Sequence, residues 1–183
     1  MQDLEQFIHE CREAARTDMP RQAIAQVVER FVARPGEVLA TVGEQRPGVH
    51  ALHHSPELTI MNVVWAPDMS FPPHDHTMWA VIGIYAGAEE NVFWQCREDG
   101  RVSRHGLVRL EPRQVRVLGD RAIHSVANPL SRLTGGIHVY GGDFPNAQGR
   151  HEWDPVTHEG HAMEPGSTAR RFEEACRGKA LAC

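Results

Sequence analysis

The sequence predicts a mainly β chain, a closed antiparallel barrel or a sandwich, behind an N-terminal pair of helices. Three observations carry that expectation. Short β-rich runs recur from residue 48 onward, Gly, Pro, Asn and Asp punctuate them at close intervals, and helical spacing of apolar residues dominates only the stretch before them. At 183 residues the chain suits one buried core better than two. It reads as a single domain, with a helical cover over 1–47, the β body over 48–148 and a C-terminal extension over 149–183.

Leu4, Phe7, Ile8 and Cys11, then Ile24, Val27, Val28 and Phe31, recur at three- and four-residue intervals, the spacing of two amphipathic helices. Asp18 ahead of Met19-Pro20 is the expected N-cap of the second helix, and Arg34-Pro35-Gly36 is expected to end it. One-sided apolar stripes need a partner surface, so the helices are expected to pack against the β body. Strand-like runs follow at 49–54, 58–65, 79–85, 91–96, 102–110, 115–118, 123–128 and 136–140, with a hairpin turn at Glu98-Asp99-Gly100. From Gly141 the sequence turns polar and irregular and leads to a weak helix near 169–180.

Composition narrows the function. The hydrophobic fraction is 41% and the charged fraction 23%, and no apolar run approaches membrane-spanning length. A formal charge of −5 without a basic stripe argues against nucleic acid and leaves a small molecule as the expected partner. Met1-Gln2-Asp3-Leu4-Glu5 opens with acid, not with the basic segment and apolar core of a secretory signal, so the cytoplasm is the expected compartment. Cys11, Cys96, Cys176 and Cys183 form no CxxC pair and are expected to be reduced bystanders. Oligomeric state is not fixed by the sequence.

Histidine stands out, with twelve residues. In Pro72-Pro73-His74-Asp75-His76 two imidazoles lie two residues apart, so in extended backbone both point to one face and can reach one metal. His124, in Ala122-Ile123-His124-Ser125-Val126-Ala127-Asn128, lies on a later strand that a barrel can bring beside them. This pair, with a distant His-x-x-x-Asn, resembles the two signature motifs of the cupin superfamily, whose fold is the double-stranded β-helix or jelly roll. Many cupins add a glutamate four or five residues after the second histidine, where this chain has Ala80 and Val81. A neutral three-imidazole set remains, and it favours an anionic co-ligand such as a thiolate. Imidazole suits zinc, copper, iron and nickel alike, so the donors alone do not name the metal.

The stretch from His74 to Gly83, HDHTMWAVIG, with GGIHVYGG from Gly135 to Gly142, is similar to the bacterial thiol dioxygenases, relatives of cysteine dioxygenase and 3-mercaptopropionate dioxygenase. The resemblance runs from about His50 to Trp153. It implies one Fe(II) per chain on His74, His76 and His124, replaceable by Ni or Zn during purification, with a thiol bound through sulfur and O2 added to give a sulfinate. It also implies a Ser-x-His-x-Tyr relay, of which His138 and Tyr140 are present while the serine position is Gly136. Thr134 shares their face and is a candidate replacement. The early-strand arginine of the animal enzymes has no counterpart in 49–54; Arg150, near where the mercaptopropionate enzymes carry theirs, is the expected carboxylate binder. No cysteine lies near the first histidine pair, so the animal cysteine-tyrosine crosslink is not expected.

Each of these residues has a plainer reading. His138 and Tyr140 would also serve as a buried polar pair, and Arg150 as a loop ion pair. His151, His158 and His161 are expected to be solvated, Trp65 and Trp79 to be core or pocket wall, and His50 at most to line the pocket. The functional expectation is a dioxygenase of a small carboxylated thiol. The alternatives are a metal cupin of different chemistry, such as carbon-carbon cleavage or isomerisation, and a non-catalytic ligand-binding cupin.

Overall fold

The N-terminal helical spacing becomes three helices where two were expected: α1 Leu4–Ala15, α2 Pro20–Val32 and α3 Pro35–Val42. The computed structural model describes residues 3–43 and 45–177. Asp3 caps α1 by accepting from the Glu5 amide, whereas Met19, not Asp18, occupies the N-cap position of α2. Pro35, expected as a stop, begins α3, because its fixed φ and missing N–H suit a first helical turn as well as they end a helix. Phe7 stacks on Phe31 at 3.9 Å and joins the two long helices.

Eleven strands follow: β1 Gly48–His54, β2 Thr59–Trp65, β3 Ser70–Asp75, β4 Ala80–Ala86, β5 Glu89–Cys96, β6 Val102–Leu110, β7 Val115–Leu118, β8 Ile123–Ala127, β9 Thr134–Tyr140, β10 His151–Trp153 and β11 Gly160–Ala162. They form two antiparallel sheets, ordered β1-β2-β9-β4-β7 and β11-β10-β3-β8-β5-β6, and not one sheet closed into a barrel. Counted from β2 to β9, the first, eighth, third and sixth strands make one sheet and the second, seventh, fourth and fifth the other. That order is a jelly roll, the double-stranded β-helix. The turn at Glu98-Asp99-Gly100 joins β5 to β6, with Gly100 at φ 79° in the left-handed region.

The middle of the first sheet, β2, β4 and β9, is buried on both faces. Ile60, Val81, Tyr85, Ile137 and Val139 pack under the helices, while Met61, Val63, Trp65, Ile82 and Tyr140 face the second sheet. This double burial is why β2, β4 and β9 read as nearly unbroken apolar runs. Gly83 lets α2 approach β4, since a Cβ there would lie 2.4 Å from Val28 Cγ1.

The segment after 149 is less irregular than its polarity suggests. It adds β10 and β11 to the second sheet and ends in helix α4, Ser167–Cys176, two residues earlier than the start expected; positions 178–180 of that expectation lie outside the described residues. Cys176, buried at the end of α4, is disulfide-bonded, against the expectation of reduced thiols; Cys11 and Cys96 are free, and Cys183 lies outside the described residues. Among the described residues no helix is long and apolar enough to cross a membrane.

Candidate metal centre

Two prolines create the local geometry of the site. Pro72 and Pro73 have no amide N–H for the β3–β8 ladder, and the register shifts there: Phe71 pairs with Val126, but His74 pairs with His124. One extra residue in β3 is a bulge, and it restores the inward direction, so that both Phe71 and His74 face the interior. His74 therefore lies next to the end of β3, a strand absent from the expected set, and does not open the strand after it. His76 follows on the same face, and Thr77 turns the chain away at φ 58°.

All three predicted ligands are buried and converge. His76 Nε2 lies 3.1 Å from His74 Nε2 and 3.2 Å from His124 Nε2, and the three potential ligand atoms fall within 4.8 Å of one another. Among the described residues this is the one cluster of His, Cys, Asp or Glu close enough to hold a metal ion. His74 Nδ1–H donates to the Pro72 carbonyl at 3.0 Å, and His124 Nδ1–H donates to Asn91 Oδ1 at 2.7 Å, which leaves both Nε2 lone pairs facing the centre. Desolvation lowers the pKa of His74 to about 4 and those of His76 and His124 well below the ordinary value. The imidazoles are thus held neutral, as metal ligands must be, and the donor set fits a divalent transition metal. Ala80, at one of the two positions where the sequence resemblance expects a glutamate, is fully buried in the inner cluster beside Tyr140.

A cavity of about 830 Å³ opens from the three histidines, with Met61, Val63, Trp65, Phe71, Phe144 and Phe172 among its walls. Tyr140, His138 and Arg150 line it too. Tyr140 Oη is 3.3 Å from His138 Nδ1, its ring lies 5.1 Å from that of His76 and stacks on Phe144 at 3.8 Å, and burial raises its pKa. Arg150 lays its guanidinium over the Phe144 ring at 4.2 Å and donates from Nε to the Asp75 carbonyl at 3.3 Å. Among the described residues no carboxylate lies within ion-pair distance of it, although Asp75 and Glu152 attract it from further away. Burial lowers its pKa somewhat.

His50 lines the cavity mouth, with Nε2 at 2.8 Å from the Arg46 carbonyl. Trp65 is wall and Trp79 packs against the outer core. His151 and His161 are exposed and His158 is half-buried against Trp94, and the three form no metal cluster. Thr134 does not replace the missing serine. Its hydroxyl has Asn128 Oδ1 and the Ala88 carbonyl as acceptors for its single proton and accepts from the Ala88 amide, all near 3 Å. Asn128, the motif asparagine, fastens the loop after β8 through the Ala66 and Arg132 carbonyls and is not a ligand.

Two polar residues of the site escaped the sequence reading. Glu89 and Asn91 lie two apart on β5, both buried and on the inward face. Glu89 Oε1 accepts from Asn91 Nδ2 at 2.9 Å and Oε2 from Trp65 Nε1 at 2.7 Å, while His138 Nε2 stands 3.5 Å from Oε2. Burial pushes the Glu89 pKa up, but His138, Asn91 and Trp65 more than offset that and hold it below the ordinary carboxylate range. The available signal was an acid and an amide at strand spacing, Glu89-Glu90-Asn91, leading into the apolar residues Val92, Phe93 and Trp94.

No protein-family model matches the chain. Solved structures similar to it include the DMSP lyase DddQ from Ruegeria pomeroyi DSS-3, at 19% identity over 61% of this chain and 53% of that one, TM-score 0.46. The chain therefore spans about half the length of that lyase. A cupin superfamily protein from Desulfitobacterium hafniense DCB-2 is similar at 18% identity over 57% of this chain and 88% of that one, TM-score 0.47. An RmlC-like cupin family protein with a double-stranded β-helix fold from Methanocaldococcus jannaschii matches at 11% identity over 55% and 84%, TM-score 0.45.

Proposed function

We propose that this protein is an Fe(II)-dependent dioxygenase that adds both atoms of O2 to the sulfur of a small carboxylated thiol, giving a sulfinate. One observation carries the reading: among the described residues, three buried imidazoles form a ligand cluster without a carboxylate and open onto a cavity that also holds a phenol and an arginine with no carboxylate in ion-pair contact. His74, His76 and His124 would hold the iron. When bound, Fe(II) supplies open positions for a thiolate and for O2, together with the redox chemistry that joins them. An all-neutral ligand set leaves the metal charge to be offset by the thiolate, which favours an anionic sulfur ligand over a neutral one.

The chain's own residues supply the rest. Arg150 presents a guanidinium fork to the substrate carboxylate, held in place by Phe144 and the Asp75 carbonyl. Tyr140, oriented by His138 and by its stack on Phe144, places a hydroxyl at the cavity wall beside His76. Apolar walls from Met61, Val63 and Phe71 exclude water from the sulfur.

The test is oxygen consumption by iron-loaded protein across a panel of thiols, with mass spectrometry of the product. A carboxylated thiol should gain two oxygen atoms, and His76→Ala should abolish both iron retention and uptake. Absence of uptake with every thiol, or a product cleaved at carbon, would overturn the assignment.

A further inference from the structure

Glu89 sits between the two halves of the site, and nothing in the reaction proposed above uses it. Two of its neighbours are donors and the third is an imidazole nitrogen. Trp65 Nε1–H has no acceptor capacity, Asn91 turns its amide NH2 toward Oε1, and the His138 edge facing Oε2 is a ring nitrogen with no hydrogen-bond partner of its own. An ionised carboxylate suits that setting at both oxygens. A glutamine would turn an NH2 against one of these donors.

We propose that Glu89 is the positioning residue that decides which ring nitrogen carries the proton on both His124 and His138. On the metal side the logic runs through Asn91. Because Glu89 takes the amide NH2, Asn91 can offer His124 only its oxygen, at 2.7 Å; His124 must then carry its proton on Nδ1, and Nε2 is left bare for the metal. On the other side, a carboxylate facing His138 Nε2 at 3.5 Å favours the proton there. Nδ1 is then an acceptor, 3.3 Å from Tyr140 Oη, and the phenol donates to it.

Gly136 makes this arrangement possible. A Cβ at that position would lie 3.3 Å from His138 Nε2 and 3.0 Å from Ile84 Cδ1, so a serine hydroxyl there would reach the nitrogen that Glu89 faces. In this chain the third member of the Tyr140-His138 relay is a carboxylate from β5 in place of a hydroxyl from β9. That carboxylate is also tied to a metal ligand, which a serine at 136 would not be. The consequence for turnover rests on the dioxygenase reading; the consequence for the two imidazoles does not.

The experiment uses 15N-histidine-labelled full-length protein without metal, followed by titration with Co(II). Native protein should show His124 protonated at Nδ1 and His138 protonated at Nε2. Glu89→Gln keeps one acceptor oxygen, so at least one of the two rings should shift toward the other tautomer, and Co(II) binding should weaken roughly 10- to 100-fold where that ring is His124. Asn91→Ala should disturb His124 and Co(II) affinity and leave His138 unchanged. Gly136→Ser placed in the Glu89→Gln protein should restore the His138 tautomer without restoring Co(II) affinity, a separation that a general packing defect would not produce. The proposal is overturned if native His124 carries its proton on Nε2 or native His138 on Nδ1, a measurement that needs no variant to fold. It is equally overturned if Glu89→Gln leaves both tautomers and the affinity as they were. Shifted tautomers in a protein that oxidises no thiol would remove the dioxygenase reading and leave this one standing.

Discussion

Replacing Arg150 with methionine separates the charge of that side chain from its packing. Methionine keeps an unbranched apolar stem over Phe144, where the guanidinium now sits at 4.2 Å, and removes the fork. Within the protein the fork loses one hydrogen bond, from Nε to the Asp75 carbonyl at a long 3.3 Å, so most of the effect should fall on the substrate carboxylate. A hydrogen bond to a charged group contributes about 1.5–3 kcal/mol, which corresponds to about a 10- to 150-fold loss in kcat/KM. Oxygen uptake by iron-loaded protein is then measured with mercaptopropionate and with its amide, which has the same sulfur and chain but no negative charge. The acid should lose activity by that factor and the amide by less than about threefold, the small common loss reporting the missing Asp75 contact. Equal losses for acid and amide would mean that Arg150 supports the cavity wall and does not read the carboxylate, and the substrate class argued above would fall with it.

Two further outcomes check the fold that holds the site. Gly83→Ala places a methyl 2.4 Å from Val28 Cγ1, and overpacking of about 1–3 kcal/mol should lower the thermal midpoint by about 2–12 °C; Val28→Ala in the same chain should recover part of that, and strictly additive losses would contradict the contact. Under native conditions an alkylating reagent should modify the exposed Cys96 and spare Cys11, whose thiol is buried and whose pKa burial pushes up, until the protein unfolds; comparable native rates at both would refute that burial.

Most of the fold was legible because the first sheet lies between two layers. Strands buried on both faces read as apolar runs, and β2, β4 and β9 were visible for that reason. Elements whose signal is not hydrophobic were the ones missed. Pro72 and Pro73 disguise β3, since proline argues against a strand unless a bulge absorbs it. Pro35 marks a helix boundary without saying on which side the helix lies. β10 and β11 are three residues each and carry too little pattern to be distinguished from a loop, although β10 pairs with β3 at His74.

The metal ligands were legible for a different reason. His74 and His76 share a face by strand spacing alone, and only His124 required the fold to bring it close. Glu89 was invisible because its role depends on two pairings at once. The β5–β8 register sets Phe93 against His124 and so brings Asn91 within reach of the His124 ring, while packing of one sheet on the other brings His138 of β9 toward the same carboxylate. Neither relation is local in sequence. A buried acid is costly unless donors meet it, and Glu89 is met by Trp65 of β2 and by Asn91 of its own strand. Read that way, the glycine at 136 is less a lost serine than a cleared approach. With no side chain on β9 between His138 Nε2 and β5, a carboxylate can stand where a hydroxyl would, and one residue is joined to both the metal-binding and the phenol-bearing sides of the cavity.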